Sequence, residues 1–273
     1  MINESSLRGF KKTIWEFYEQ SGRHELPWRH PDTHGKFDPY MIMVSEVMLQ
    51  QTQVLRVIPK YHEFMDNYPT LQALAKAPQG SVLKTWSGLG YNRRAKYLRL
   101  AAVDVVEKFE EHLPSSYSDL ITLPGIGSNT AGAILAYAYN QPIVFIETNI
   151  RSVFIHHFFE HQSNISDKKI LELVAQTLDT TNPREWYWAL MDYGSHLKRI
   201  HKNPSSRAAN YIKQAKFAGS KRQLRGLVLR LLKEKTYSDA LLKETIADER
   251  LEIVLADLVK EQLILRSGDS YSL

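Results

Sequence analysis

The sequence contains no cysteine among its 273 residues. The chain therefore cannot form disulfides, use a thiolate nucleophile, or bind a structural zinc or iron-sulfur cluster through cysteine. Long apolar runs, a signal-like N-terminus and lipidation motifs are also missing, so we expect a soluble protein without a membrane partner. An apolar content of 43% is enough for one large core or two smaller ones.

Acidic residues are missing from one long stretch of the chain. Between Tyr193 and Lys233 there is no Asp or Glu, but there are eleven basic residues: Lys198, Arg199, Lys202, Arg207, Lys213, Lys216, Lys221, Arg222, Arg225, Arg230 and Lys233. Because the whole chain carries +5, the remainder carries −6. This basic band predicts a surface for a polyanion, most simply a nucleic-acid backbone. A solvated interdomain linker is the alternative.

Helical periodicity dominates, and strand-like alternation is scarce before the last dozen residues. The pair Asp38-Pro39 predicts the start of a helix that carries Val44 to Gln51. Apolar spacing predicts further helices at about 7–17, 53–67, 92–110, 128–139, 148–161, 167–179 and 184–198. The first part of the chain is therefore predicted to be all-α.

A break at Gly219-Ser220 separates a different pattern at the C-terminal end. Helices are predicted at about 221–234, at 238–245 and from Asp248, followed by a hairpin around Ser267-Gly268-Asp269. Three helices followed by a hairpin are typical of a winged-helix module. Such modules contact proteins as often as DNA, so both partners remain open.

Two motifs carry candidate chemistry. In "LPGIGSNTAGAIL" (123–135), Gly125 and Gly127 bracket a hairpin between two helices, and Ser128 begins the second helix with its free amides. Such a hairpin lets a phosphate approach the backbone. In "FIETNIRSV" (145–153), Glu147 follows an apolar run at the start of a predicted helix. It is either a catalytic carboxylate or an acid that stabilises the helix dipole.

Together with "LPWRH" (26–30), "DPYMIMVSEVMLQQTQVLRVIPKYHEFM" (38–65), "WSGLGYNRRAKYL" (86–98) and "WALMDYG" (188–194), these motifs resemble the helix-hairpin-helix (HhH-GPD) DNA glycosylases. In particular, they are similar to the MutY-type adenine DNA glycosylases over about residues 6–197. The resemblance implies a mainly α, two-subdomain HhH-GPD fold in residues 1–217. Its six-helix part would span about 38–150 and its second helical part about 1–37 and 151–217, followed by a small winged-helix domain at 218–273.

The resemblance also implies catalytic residues. Glu46 stands where the family keeps the acid that protonates the adenine ring, and Asn149 where it keeps a residue that orients water. Protonation helps because a neutral purine is a poor leaving group. Outside this motif, Glu46 would read as a surface residue on an amphipathic helix. At the position of Glu147 the family keeps an Asp that stabilises the sugar cation, so the acid here reaches about 1.5 Å further.

The resemblance also implies residues that bind DNA and the flipped base. Gln50, Gln51 and Tyr91 match residues that wedge into the duplex while the target base is flipped out. Trp28, Arg29 and Asn129 match the base pocket, although Trp28 and Tyr91 could also be ordinary core residues. Strand-cutting relatives keep at the position of Asn129 a Lys that forms a Schiff base. The predicted DNA contacts further include Gly125, Gly127, Ser128, Lys198, Arg199, Lys202 and Arg222.

Two further departures from the family pattern concern whole segments. The family places four cysteines of an iron-sulfur cluster just after "WALMDYG", where this chain has none, and we expect basic residues to grip phosphate there without a metal. His196 and His201 are too few for a replacement zinc site. The β-rich domain with which the family reads 8-oxoguanine is also not matched by the C-terminal residues.

The sequence thus predicts a cluster-free, monofunctional DNA N-glycosylase of base-excision repair, with no cofactor and with a mispaired adenine as first substrate. Uracil, thymine or hypoxanthine are alternative targets. A non-catalytic lesion-binding protein and a strand-cleaving lyase are alternative functions. We expect a monomer that binds double-stranded DNA with a mismatched or damaged base, in the cytoplasm and associated with the nucleoid.

Overall fold

The computed structural model describes residues 3–273, and over these residues the chain is mainly helical, as predicted. The helices are α1 (Glu4–Ser21), α2 (Pro39–Leu49), α3 (Val54–Asn67), α4 (Leu71–Lys76), α5 (Gln79–Thr85), α6 (Arg93–Lys108), α7 (Tyr117–Leu120), α8 (Ser128–Tyr137), α9 (Thr148–Phe158), α10 (Asp167–Thr177), α11 (Pro183–Ile200), α12 (Lys221–Glu234), α13 (Asp239–Thr245) and α14 (Leu251–Lys260). The strands are β1 (Tyr237–Ser238), β2 (Leu265–Ser267) and β3 (Ser270–Ser272), and short 3-10 turns lie at Pro27–Arg29 and Pro204–Arg207. None of the helices over residues 3–273 has the length and apolar character needed to span a bilayer.

The end of α2 differs from its prediction. The helix begins at Pro39 as expected, with the Asp38 carboxylate accepting a hydrogen bond from the amide of Tyr40 at 2.8 Å. It ends at Leu49, so the prediction that Gln50 and Gln51 lie on this helix is wrong. Gln51 has a φ of +57°, a left-handed conformation in which a right-handed helix cannot continue.

The chain folds into two compact units. The first contains the residues up to Glu46 together with Pro114–Thr122 and Ile126–Lys213. The second contains Val47–Leu113, Leu123–Gly125 and Gln214–Leu273. The predicted boundary near residue 217 and the two predicted helical parts stay predictions.

Helices α9 and α11 pack closely against each other in the first unit. Gly194 on α11 lies against the backbone of Asn149 on α9, where an added Cβ would collide with the Asn149 carbonyl oxygen and lie 2.7 Å from its carbonyl carbon. The ring of Phe10 on α1 contacts Phe154 and Trp186, with centroids 5.2 and 6.1 Å apart. The missing side chain at Gly194 therefore fixes how closely α11 approaches the start of α9.

This packing makes a stability prediction. Gly194→Ala should destabilise the protein by about 1–3 kcal/mol, because the extra methyl overpacks the α9 and α11 contact. Gly9→Ala in the exposed part of α1 is the matched control, since its added Cβ meets nothing within 4 Å. It should instead stabilise by about 0.5–1 kcal/mol. Urea unfolding curves measure both; equal effects would contradict the packing argument.

In the second unit, α4 and α5 pack against α6. Gly125 of the predicted hairpin has a φ of +77°, and a Cβ there would lie 2.7 Å from the Cβ of Tyr97 on α6. Glycine is therefore required both by the backbone conformation and by the space available. The predicted hairpin is found between α7 and α8, and α8 begins at Ser128 as expected.

The C-terminal part of the second unit contains α12 to α14 and a three-stranded antiparallel sheet with β3 in the middle. Helix α12 packs against α14, and β3 pairs with both β1 and β2. The hairpin predicted around Ser267-Gly268-Asp269 is present and joins β2 to β3. Helix α14 begins at Leu251 rather than at Asp248, whose carboxylate instead accepts a hydrogen bond from the Arg250 amide at 3.0 Å in a turn. The assignment of these elements as a winged-helix module stays a prediction.

Candidate active site

Glu147 caps the N-terminus of α9. Its Oε1 accepts hydrogen bonds from the backbone amides of Asn149 and of Ile150, the latter at 3.1 Å. The first amides of a helix have no partner within the helix, and an acidic cap satisfies them while meeting the positive end of the dipole. The helix-stabilising interpretation of Glu147 is therefore correct at the level of geometry, and the cap fixes where its carboxylate lies.

The surroundings of Glu147 act on its charge in opposite directions. Burial raises the pKa of its carboxyl group. The amides of Ile150 and Asn149 and the positive charges of Lys198 and Arg151 lower that pKa. Burial is the larger influence, so the pKa of Glu147 is raised overall, and the amides and cations limit that rise.

Glu46 is the other acid of this site, and it belongs to the first unit as Glu147 does. Burial, followed by the negative charge of Glu147, raises the pKa of Glu46 to about 8, and the cation of Arg29 only partly opposes this. The side chain keeps some solvent-accessible surface, but the surrounding protein is dense enough for desolvation to dominate. At neutral pH Glu46 therefore remains mainly protonated.

Tyr137 lies close enough to both acids to feel their charges. The ring of Tyr137 on α8 stacks on Trp188 of α11, with centroids 5.8 Å apart. Burial raises the pKa of Tyr137 well above its ordinary value, and the charges of Glu46 and Glu147 add to this. The phenol is thus a neutral hydrogen-bond donor beside both acids. Trp188 begins the motif "WALMDYG" and Tyr137 lies two residues after "LPGIGSNTAGAIL", but neither was singled out from the sequence.

A buried ion cluster holds Arg29. Its Nη1 and Nη2 donate to the two carboxylate oxygens of Asp192, at 2.8 and 2.9 Å. Arg23 also donates to Asp192, through its Nε and its backbone amide, both at 2.7 Å. Burial pushes the pKa of Asp192 upward, but Arg29 and Arg23 outweigh it and lower the pKa, so the carboxylate is ionised. Asp192 therefore holds Arg29 at the site in a fixed orientation.

The predicted pocket and catalytic residues differ in how deeply they are buried. Trp28 and Arg29 are both buried, in the 3-10 turn at Pro27–Arg29. The guanidinium of Arg29 lies over the ring of Trp188, 5.1 Å from its centroid. Asn149 is half-buried, and its Nδ2 lies 3.9 Å from the sulfur of Met191. Asn129 is exposed on the first turn of α8.

The start of α8 has the form expected of an anion site. Gly127 is its N-cap residue and makes no side-chain capping bond, and Ser128 and Asn129 are exposed. Amides at such an uncapped helix start are available to a phosphate.

The predicted wedge residues Gln50, Gln51 and Tyr91 lie in the second unit, and two of them have a left-handed backbone conformation. Gln51 has a φ of +57° and Tyr91 a φ of +47°. Tyr91 is 40% exposed. Its hydroxyl accepts a hydrogen bond from Arg222 Nη1 at 2.6 Å and another from the Gln214 side chain. Left-handed conformations at residues other than glycine persist only where the surrounding structure holds them.

The basic band is less free than its composition predicts. Two of its residues form ion pairs at 2.5 Å: Lys221 with Asp257 of α14, and Arg225 with Glu261, the residue that follows α14. Lys198 is half-buried, and burial lowers its pKa. Arg199 and Lys202 are exposed. The band is thus divided between internal ion pairs and exposed cations.

The iron-sulfur cluster of the family does not fit this chain. Its ligands are thiolates, and the sequence has no cysteine to supply them. Within residues 3–273 no group of three or more metal-ligating side chains comes together. No step of the chemistry proposed below involves a cluster.

Comparison with known proteins identifies the family of the chain. Residues 44–178 match the model of the HhH-GPD superfamily of base excision DNA repair proteins. An adenine DNA glycosylase of Mycolicibacterium smegmatis is 34% identical over 233 residues, which cover 78% of this chain and 77% of that protein. An adenine DNA glycosylase of Buchnera aphidicola is 38% identical over 68% of this chain. In that pair, the chain spans about half of the relative, 52% of its length.

Solved structures show the same fold. A thermostable thymine-DNA glycosylase superposes with a TM-score of 0.62 at 23% identity, covering 74% of this chain and 92% of that one. An endonuclease III in a non-covalent DNA complex superposes with a TM-score of 0.60 at 14% identity, covering 76% of this chain and 99% of that one. With the extended similarity to the mycobacterial relative, these matches show that the chain belongs to the HhH-GPD superfamily of base excision DNA repair proteins, in the family of the adenine DNA glycosylases.

Proposed function

We propose that the protein is a monofunctional DNA N-glycosylase that removes mispaired adenine from double-stranded DNA. The observation that carries the proposal is a pair of neighbouring buried acids, in which burial and the charge of Glu147 raise the pKa of Glu46 to about 8 while helix amides hold the carboxylate of Glu147. Glu46 is a neutral acid near pH 7, and Glu147 is an anion held by helix amides. Acid-assisted cleavage of a glycosidic bond needs this combination of an acid and a stabilising carboxylate.

In the proposed reaction, Glu46 donates its proton to a ring nitrogen of adenine. The glycosidic bond breaks and its electron pair leaves with the base, which departs as neutral adenine. Positive charge develops on the sugar, where the carboxylate of Glu147 stabilises it. A water molecule oriented by Asn149 then adds to the sugar carbon, and its proton returns to the now ionised Glu46. The products are free adenine and an abasic site.

The proposed DNA-binding residues are those predicted from the sequence. Gln50, Gln51 and Tyr91 fill the space left by the flipped base, and Trp28, Arg29 and Asn129 line the pocket that receives it. Gly125, Gly127 and Ser128 bind a backbone phosphate through their amides. The exposed cations Arg199 and Lys202, together with Lys198 and Arg222, add electrostatic attraction. We propose that the protein acts as a monomer in the cytoplasm, associated with the nucleoid.

Asn129 supports the monofunctional assignment. A carboxamide cannot form an imine with the sugar, so the residue that supplies the amine in strand-cutting relatives is not available here. One observation favours the alternative of strand cleavage: Lys198 is half-buried near Glu147, and burial lowers its pKa. An amine in such surroundings is more nucleophilic at neutral pH, so the two functions must be separated by experiment.

The test uses a panel of duplexes, each with a single mispaired adenine, uracil, thymine or hypoxanthine in a labelled strand. We expect the adenine duplexes to yield abasic sites that break only after alkali treatment. Strand breaks without alkali would support the lyase function, and Lys198→Met would then remove them. Release of one of the other bases in place of adenine would correct the substrate. Binding without any abasic product across the panel would contradict the enzyme assignment and leave a lesion-binding protein.

A further inference from the structure

Arg94 is a buried cation to which the proposed reaction gives no role. It lies on the first turn of α6 and is 9% exposed. Burial lowers its pKa to about 10, so the guanidinium remains charged at neutral pH. Its Nε has no hydrogen-bond partner within residues 3–273. Burying a charge with an unsatisfied donor costs folding free energy, so we expect this side chain to have a structural or functional role.

The guanidinium connects two separate turns of the second unit. Nη1 donates to the carbonyl oxygens of Val47 and Met48, at 2.7 and 2.8 Å. These carbonyls belong to the last turn of α2, where carbonyls have no donor within the helix and a cation is favourable. Nη2 donates to the carbonyls of Leu89 and Gly90, at 3.3 and 3.0 Å, and to the hydroxyl of Thr52 at 3.1 Å.

Each of these turns leads directly to a left-handed residue. The turn after α2 continues into Gln51, and the turn at Leu89 and Gly90 continues into Tyr91. The Arg94 guanidinium also lies over the Tyr91 ring, 5.6 Å from its centroid. Because such backbone conformations are energetically unfavourable for residues other than glycine, they need fixed neighbours to persist. Arg94 supplies a rigid fork of donors to both turns at once.

We propose that Arg94 is a positioning residue that holds Gln51 and Tyr91 together in the orientation needed to enter the DNA duplex. The inference rests on the proposed function in that it takes these two residues to be the wedge. Arg94 itself touches neither the base nor the sugar in this proposal. It acts by fixing two backbone turns whose relative position would otherwise vary.

The test compares Arg94→Lys with Arg99→Lys. Lysine keeps the positive charge but presents a single ammonium that cannot serve both turns. Arg99 is the matched control, because it lies on the same helix and its Nε donates to the carbonyl of Ala77 at 2.5 Å, on a different turn. The readout is the fluorescence of 2-aminopurine placed beside a mispaired adenine, which rises when the neighbouring base unstacks.

We expect Arg94→Lys to lose most of the fluorescence rise and about 10²-fold in the single-turnover rate, as for a group displaced by about 1 Å. Its affinity for the duplex should fall by less than about tenfold, since phosphate contacts do not depend on Arg94. Arg99→Lys should match the unmodified protein in all three measurements. In the background of Tyr91→Ala, the effect of Arg94→Lys should shrink, because residues acting in one unit are not additive.

A folded Arg94→Lys variant with a normal fluorescence rise and rate would overturn the inference. Should that variant fail to fold, Thr52→Val removes the hydroxyl that accepts from Arg94 and that donates to the carbonyls of Gln50 and Leu89 in the same two turns. It is expected to reduce the fluorescence rise severalfold; an unchanged rise would overturn the inference equally. The fluorescence does not depend on cleavage. If the unmodified protein unstacks the base without releasing it, the proposed function fails while the role of Arg94 is still tested.

Discussion

Replacing Glu46 with Gln should lower the single-turnover rate of base release by about 10²–10⁴-fold at pH 7, the range that a positioned general acid contributes. Gln has the same shape as Glu but cannot donate a carboxylic proton. Burial and the charge of Glu147 raise the pKa of Glu46 to about 8, so the acid form that this substitution removes is the main form at that pH. Release of adenine from a mispaired duplex, followed by chromatography of the free base, measures the loss.

The control for this variant is Glu16→Gln. Glu16 lies on α1, is exposed, and pairs only loosely with Lys12 at 3.7 Å. Its substitution should leave the rate unchanged, and both variants should bind the duplex as tightly as the unmodified protein. If Glu46→Gln released adenine at the normal rate, Glu46 would not be the acid, and the proton would have to come from another group.

Glu46→Gln should also change the stability of the protein: the substitution that lowers the rate is expected to raise the melting temperature at high pH. A carboxyl group whose pKa is raised on folding stabilises the folded state below its unfolded pKa, and this contribution is lost as the pH rises through about 8. Glu46→Gln carries no charge at any pH and avoids this loss. Its melting temperature should therefore exceed that of the unmodified protein at pH 9, and the difference should narrow at pH 5.

Replacing Glu147 with Gln should lower the single-turnover rate by about 10²–10³-fold, as expected when one electrostatic contact to a developing charge is removed. The amide oxygen of Gln can still accept from the amides of Asn149 and Ile150, so the cap of α9 is largely kept. This variant therefore separates the negative charge of Glu147 from its capping role. Rates measured with saturating enzyme at pH 7 test it.

Glu147→Asp tests the length of the side chain separately from its charge. Asp is a favourable N-cap residue and keeps the charge, but its carboxylate lies about 1.5 Å closer to the backbone. It should retain more activity than Glu147→Gln if the charge matters most. Inactivity of the Asp variant with intact folding would show that the pocket is built around the longer side chain. Equal rates for the Gln variant and the unmodified protein would leave Glu147 with capping alone.

Local features of the site could be predicted from the sequence. The start of α2, the hairpin before α8 and the acid at the start of α9 each depend on residues within a few positions of one another. Helix periodicity also placed most of the long helices within a few residues. The short helices α4, α5 and α7 were missed because four to seven residues show too little of a helical period.

Long-range pairing could not be predicted. Asp192 lies in the motif "WALMDYG", but its partners Arg29 and Arg23 are 163 and 169 positions away in the chain. The contacts of Arg94 with the last turn of α2 and with Thr52 after it span 42 to 47 positions in the chain. A charge count likewise predicted a free basic band, because it cannot show that Asp257 and Glu261 neutralise Lys221 and Arg225. Which charges remain free depends on tertiary packing alone.

The proposed division of one proton between Glu46 and Glu147 is most directly tested by the pH dependence of single-turnover adenine release, measured from pH 5 to pH 10. The rate should rise as Glu147 ionises and fall again near pH 8 as Glu46 loses its proton. In Glu46→Gln the fall near pH 8 should vanish together with most of the rate. A rate that stays constant from pH 6 to pH 10 would contradict the assignment of Glu46 as the acid and, with it, the proposed mechanism.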